Sequence, residues 1–197
     1  MKEYDVGIIP QKDFPTRQNI GARVPLLSQL IDEVEAYTRK YNLTPVRYNI
    51  EIKSNSFKDD RLAPKYDKFT DLAMAIINQK GIADRVIIQS FDVRTLEHMH
   101  KFYPNVALSY LVGRGGSFER DMAKLSFLPQ IYSPNYKKVN QKMVERAHLW
   151  GVKVIPWTVN ERGTLTYMLQ VGVDGVISDY PNRMFQWLKD YPAVKVQ

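Results

Sequence analysis

Five short apolar runs, Val86-Ile87-Ile88, Val106-Ala107-Leu108, Ile131-Tyr132, Val154-Ile155 and Val176-Ile177, begin 20 to 25 residues apart. Each is followed by a segment of helix length. That spacing leaves room for a strand and one crossover helix, which is the repeat of a parallel sheet. A further strand, Tyr48-Asn49-Ile50-Glu51-Ile52-Lys53-Ser54, precedes the series, so the sequence predicts six strand-helix units. Helices are expected at 26–41, 69–77, 93–102, 118–125, 139–150, 165–171 and 184–188, where apolar residues recur at three- and four-residue intervals. Residues 1–24 lack any period and are punctuated by Pro10, Pro15, Gly7 and Gly21, so they read as an irregular lead-in. Residues 25–190 carry the repeating units, and residues 1–197 read as a single domain.

Composition bounds this picture. With 44% hydrophobic and 25% charged residues among 197, the chain can bury a sizeable core. No stretch reaches the roughly 18 apolar residues of a membrane span, and Met1 to Asp5 lacks the start of a signal peptide. Cysteine is absent, which removes disulfides, thiolate metal ligands and thiol nucleophiles. The net charge of +7 favours anionic ligands such as phosphates. There is no basic run or RNA-binding signature, so nucleic acid is not expected as a partner. Nothing in the sequence assigns a compartment.

A doubly wound open sheet and a barrel both satisfy the alternation. The glycine fingerprint G-x-G-x-x-G is missing at the first strand-helix turn, which weighs against a dinucleotide fold. Polar residues recur where strands end: Glu51 and Lys53, Gln89 and Ser90, Ser133 and Asn135, Thr158 and Asn160, Ser178 and Asp179. A barrel builds its active site at such ends, so a TIM-type (β/α) barrel is the expected class. Glu51 and Lys53 are two apart in a strand and point the same way. They must pair with each other, bind something charged or face water, because burying an unpaired charge is costly.

Four motifs in order carry a resemblance: Ile50-Glu51-Ile52-Lys53, Gln89-Ser90-Phe91-Asp92, Pro156-Trp157-Thr158-Val159-Asn160, and the run from Gly172 through Asp179-Tyr180-Pro181. From about Pro25 onward the chain resembles the glycerophosphodiester phosphodiesterases. The resemblance implies a (β/α) barrel, a divalent cation (calcium or magnesium), and hydrolysis of a small-molecule glycerophosphodiester to glycerol 3-phosphate and an alcohol. By position it implies Glu51 as a metal ligand, Lys53 as a partner of the substrate phosphate and Trp157 as a pocket wall. Ser90, Asn160 and Asp179 are weaker candidates. Ser90 also fits a strand-end tether, and Asn160 and Asp179 also fit helix caps.

This chain departs from the family pattern. The His-Arg-Gly, Glu-x-Asp and His-Asp segments that the resemblance leads one to expect are absent from it. They would supply the acid-base histidines and the remaining metal ligands. His98, His100 and His148 all fall in helix patterns, and Glu119-Arg120-Asp121 matches Glu-x-Asp only as a string, within a helical segment. The barrel is therefore expected to be incomplete, about six units of eight, with metal binding weak, activity of this chain alone low, and strand edges free for self-association. A non-catalytic barrel fragment that binds anions or a partner chain is the alternative. Gly113-Arg114-Gly115-Gly116-Ser117 is a glycine-rich turn without P-loop spacing, and it reads as a flexible loop or as a lid bringing Arg114 to the substrate.

Overall fold

The computed structural model describes residues 5–12, 14–15, 17–113 and 115–191; Arg114 lies outside the described residues. These residues fall into two compact units, one within Met1–Val46 and Met74–Ile82, the other within Arg47–Ala73 and Ala83–Gln197.

In the first unit, α1 (Leu27–Lys40) starts where Gln29 turns back and its Oε1 accepts from the Leu26 backbone N–H at 3.2 Å. Its apolar spacing buries Ile31, whereas Leu30 and Tyr37 stay exposed, so the stripe read from the sequence is only partly covered. Lys80 reaches back to Asp32 on α1 at 2.6 Å. The segment 5–24 contributes one antiparallel bridge, Asp5 to Arg23, and no named strand or helix.

The second unit holds one sheet of five parallel strands in chain order: β1 (Tyr48–Glu51), β2 (Val86–Ser90), β3 (Ala107–Val112), β4 (Ile131–Pro134) and β5 (Lys153–Val154). The helices are α2 (Tyr66–Gln79), which runs on into the first unit, then α3 (Val93–Phe102), α4 (Phe118–Met122), α5 (Gln141–Leu149), α6 (Arg162–Gln170) and α7 (Pro181–Lys189). The register pairs Ile88 with Leu108 and Tyr110 with Tyr132, so these side chains share one face with Val86 and Val154. That face is the apolar one, and α3 packs on it against β2 and β3. The opposite face is polar although buried: Glu51 is level with Gln89 and Gln89 with Ser109, and the Ser109 hydroxyl donates to Ser133 Oγ at 3.0 Å. Helix starts are fixed by side-chain caps at Asp92, Ser117 and Asn140, each accepting from a first-turn backbone N–H.

The structure corrects the expected sixth strand. Val176-Ile177 forms no strand, and the sheet has five named strands. Pro156 has no N–H to give, so pairing beside it is interrupted and leaves Asp174 N–H to the Val154 carbonyl at 2.9 Å, Ile177 N–H to the Pro156 carbonyl at 2.9 Å and Val159 N–H to the Ile177 carbonyl at 2.8 Å. The helix expected at 118–125 stops at Met122, because Glu97 captures both the backbone N–H and the hydroxyl of Ser126 at 2.6 Å. The helix expected at 139–150 is shorter also, preceded by a 3₁₀ turn at Tyr136–Lys138.

Leu96 on α3 is fully buried. Leu96→Ala is expected to cost about 2–5 kcal/mol, through lost burial and the cavity left behind. Equilibrium urea unfolding of parent and variant measures this as a fall in the midpoint at unchanged slope.

Candidate active site

Parallel register brings the carboxyl ends of all five strands to one side, and the polar residues predicted for the site sit there. Glu51 ends β1. Its Oε1 is shielded from solvent and has no hydrogen-bond partner, and its nearest cation is Lys53 Nζ at 3.8 Å. A carboxylate oxygen left in that state costs about 1–3 kcal/mol, so the site holds an acceptor ready for a ligand. Lys53 lies two residues past the strand with its side chain 80% exposed, on the same side as Glu51 as the period of two requires.

The stretch from Glu51 to Ser54 is clamped to the turn after β2. Ile52 donates its N–H to the Gln89 carbonyl at 2.9 Å and accepts the Ser90 hydroxyl at 2.7 Å. Ser54 donates to Asp92 Oδ2 at 2.9 Å and lies 2.7 Å from the Thr95 hydroxyl. Asp92 is gripped through both oxygens by Arg94, which also holds Asp59 at 2.7 Å. Burial pushes the Asp92 carboxyl up, but the hydrogen bonds from Arg94 and Ser54 outweigh it and hold it below its usual range. Ser90 thus serves as the strand-end tether that the sequence offered as one of its two readings.

Trp157 lies three residues past β5 and bridges to Asn135 just beyond β4. Its indole N–H donates to the Ser133 carbonyl at 2.9 Å, and its ring meets Phe91 edge-on at 5.4 Å between centroids. Asn160 and Asp179 come together: Asn160 Nδ2 donates to Asp179 Oδ2 at 2.8 Å while its Oδ1 accepts from Ser178 and from the Asp179 backbone. Neither is a helix cap. The residues flanking α6 and α7 are Glu161 and Tyr180, and neither side chain makes a capping bond.

The histidines lie elsewhere, as their helical pattern indicates. His98 Nε2 is 2.7 Å from Asp71, His148 Nε2 is 2.9 Å from Asp174, and His100 stacks on Phe127 at 4.0 Å. Glu119 and Asp121 diverge too, Glu119 pairing with Arg146 at 3.0 Å.

Asp121 is the residue that sequence reasoning undervalued. It is 1% exposed and accepts from the Tyr132 hydroxyl at 2.7 Å, from Lys124 at 3.0 Å and from Lys138. Burial pushes its carboxyl up and these donors more than reverse that, leaving it below the usual aspartate range. The Tyr132 hydroxyl is driven far up, by burial first and by Asp121 second.

Among the described residues, no group of three or more histidine, aspartate or glutamate side chains is placed to hold a metal ion. The orphaned Glu51 oxygen fits a single ligand position of a hard cation, and these residues alone make no cage.

A parallel sheet with crossover helices and polar groups gathered at its carboxyl ends places the chain in the (β/α)-barrel class, here as an open sheet. It belongs to the glycerophosphoryl diester phosphodiesterase family, which residues 2–183 match. It is 25% identical over 201 residues to the glycerophosphodiester phosphodiesterase of Bacillus subtilis (strain 168), covering 97% of this chain and 64% of that protein. A structure from Silicibacter pomeroyi DSS-3, named for the same family, superposes with a TM-score of 0.76 and 26% identity over 91% of this chain and 61% of that one. An Oleispira antarctica phosphodiesterase in complex with the product sn-glycerol-3-phosphate shares the fold, with a TM-score of 0.68 and 18% identity over 85% of this chain and 62% of that one. The chain spans less than two thirds of the length of each of these proteins.

The Asp121 cluster makes stability depend on pH in a defined direction. Its folded-state pKa lies below the unfolded value near 3.8, so its contribution is present above the unfolded value and is lost as pH falls from there through the folded-state one. Denaturant unfolding between pH 6 and pH 3 is expected to show the parent losing stability toward the acid end. Asp121→Asn should start less stable and lose less over the same interval.

Proposed function

We propose that the site at the carboxyl ends of the strands belongs to a phosphodiesterase that hydrolyses glycerophosphodiesters to glycerol 3-phosphate and an alcohol. The observation that carries this reading is the shielded, unpartnered Glu51 oxygen beside the Lys53 ammonium at 3.8 Å. An acceptor that suits a hard cation and a donor that suits a phosphate stand side by side, the pair that a phosphodiester requires. In this reading Glu51 is one oxygen ligand of a divalent cation, calcium or magnesium, held weakly by this chain. Lys53 meets the phosphate, and Trp157 gives the glycerol moiety an apolar wall. Asn160 and Asp179 hold the far rim of the mouth in shape. The family membership and the product held by the Oleispira antarctica phosphodiesterase support the choice of substrate. Residues 25–190 form the barrel units of this domain, and β1, which pairs only with β2, offers an outer edge for self-association.

Lys53→Ala is expected to weaken glycerol 3-phosphate binding by roughly tenfold or more, since a hydrogen bond to a charged group contributes about 1.5–3 kcal/mol. Titration calorimetry measures it, and unchanged affinity would move the phosphate away from Lys53.

Turnover by this chain is expected to be slow. General acid–base transfer supplies about 10² to 10⁴ in rate, and all three histidines are committed to contacts on helices. The check is steady-state release of glycerol 3-phosphate from glycerophosphocholine with calcium or magnesium, set beside the Bacillus subtilis relative. Rapid turnover by this chain, abolished in Glu51→Gln, would show that its own residues supply the acid and base.

A further inference from the structure

A cavity opens at the carboxyl ends of β2 and β3. Its volume is about 420 Å³, and its walls include Phe91, Tyr110, Gly116, Arg120, Asp121 and Lys124. Three features of this cavity point to an anion. First, its charge is unbalanced. Asp121 is the one carboxylate in the wall and is already shared by Lys124 and by Lys138, while Arg120 pairs with no carboxylate among the described residues. Second, Tyr110 is 4% exposed as a residue and stands in the wall, and its hydroxyl makes no hydrogen bond to another described residue, which leaves its donor available at the cavity. Third, the loop above is built to come close. Gly115 and Gly116 adopt φ +91° and +72°, and a Cβ on Gly116 would lie 3.3 Å from Asp121 Oδ1, so a side chain there would intrude on the charged cluster.

Tyr110 stands on the helix-covered face of the sheet, so the cavity meets the proposed site over the strand ends, through Phe91. Phe91 is in its wall and packs edge-on against Trp157. Two strand spacings, about 10 Å, separate β1, which carries Glu51, from β3. That is the scale on which the alcohol half of a glycerophosphodiester extends from its phosphate.

We propose that this cavity is the subsite for the alcohol portion of the substrate and that it selects head groups bearing an additional anionic group, a carboxylate or a phosphate. Arg120 and Lys124 meet the charge, Tyr110 donates a hydrogen bond to it, and Phe91 passes the head group across from the Trp157 wall. The inference rests on the phosphodiesterase reading of the Glu51 and Lys53 site, and the test separates the two.

Heteronuclear NMR titration of the 197-residue chain follows two sets of backbone amides, those of Glu51 to Ser54 and those of Gly115 and Gly116. Three ligands are compared: glycerophosphoserine, whose head group adds a carboxylate, glycerophosphoethanolamine, which lacks it, and inorganic phosphate. Glycerophosphoserine is expected to move both sets, with an affinity about tenfold above that of glycerophosphoethanolamine, whose shifts at Gly115 and Gly116 are smaller. Arg120→Gln with Lys124→Gln is expected to abolish the affinity difference, through a loss of glycerophosphoserine affinity of about tenfold, and to reduce its shifts at Gly115 and Gly116 to those of glycerophosphoethanolamine. Tyr110→Phe, which keeps the packing, should lower the preference in part. The subsite is overturned if glycerophosphoserine leaves Gly115 and Gly116 unmoved, or if the preference survives in the double variant. It is also overturned if inorganic phosphate moves those amides as strongly at equal concentration, which would make the cavity a general anion site. The phosphodiesterase reading alone fails if both diesters leave Glu51 to Ser54 unmoved while glycerophosphoserine still moves Gly115 and Gly116.

Discussion

The parallel backbone ladder is the constraint on which the second unit depends. Because β1 to β5 run the same way in register, residues from neighbouring strands 20 to 38 positions apart fall on one level, as Glu51, Gln89 and Ser109 do. Alternation then sorts the side chains without further instruction. Ile88, Leu108, Tyr132 and Val154 go to the helix-covered face, and Asn49, Gln89, Ser109 and Ser133 to the other, where they satisfy one another by hydrogen bonds. The polar face is therefore a by-product of register, and its end is where charged residues can stand at low cost.

Local tethers refine what the ladder places. The segment past Glu51 leaves the sheet at once, and without support Lys53 would have no defined position. Ser90, which ends the neighbouring strand, and Asp92, in the turn after it, hold Ile52 and Ser54 on either side of Lys53. Arg94 neutralises Asp92 and ties in Asp59 from the loop beyond β1, so one guanidinium organises two connections. Paired in this way, a part-buried carboxylate is a rigid strut; alone it would be destabilising.

How much of this was legible follows from where the information lies. Strand positions were readable because β-branched runs such as Val86-Ile87-Ile88 and Ile131 bear the signature in their own residues. The shared direction of Glu51 and Lys53 followed from a period of two, and the position of the three histidines on helices from a period of 3.6. The fate of Val176-Ile177 was not readable there, because its pairing fails through the missing N–H of Pro156, on a different segment. The end of α4 was hidden for the same reason, being decided by Glu97 on another helix. Asp121 looked like one letter of a chance string. Its partners Tyr132 and Lys138 stand 11 and 17 positions away on other elements, and no local pattern announces them.

Asp121 and Glu51 show how the same group serves two ends. Asp121 is buried with three donors around it, whereas Glu51 is part-exposed and its shielded Oε1 has no donor within hydrogen-bond distance. Burying an acceptor costs about as much as a hydrogen bond returns, so the first arrangement is stable as it stands and the second is stable only because the rest of the fold carries it. The Ser54 and Ser90 tethers hold the backbone just past Glu51 in place. A satisfied carboxylate has nothing further to offer a ligand. An unsatisfied one beside a free ammonium gains from every ligand that completes it, and this difference in satisfaction, rather than in residue type, separates a strut from a site.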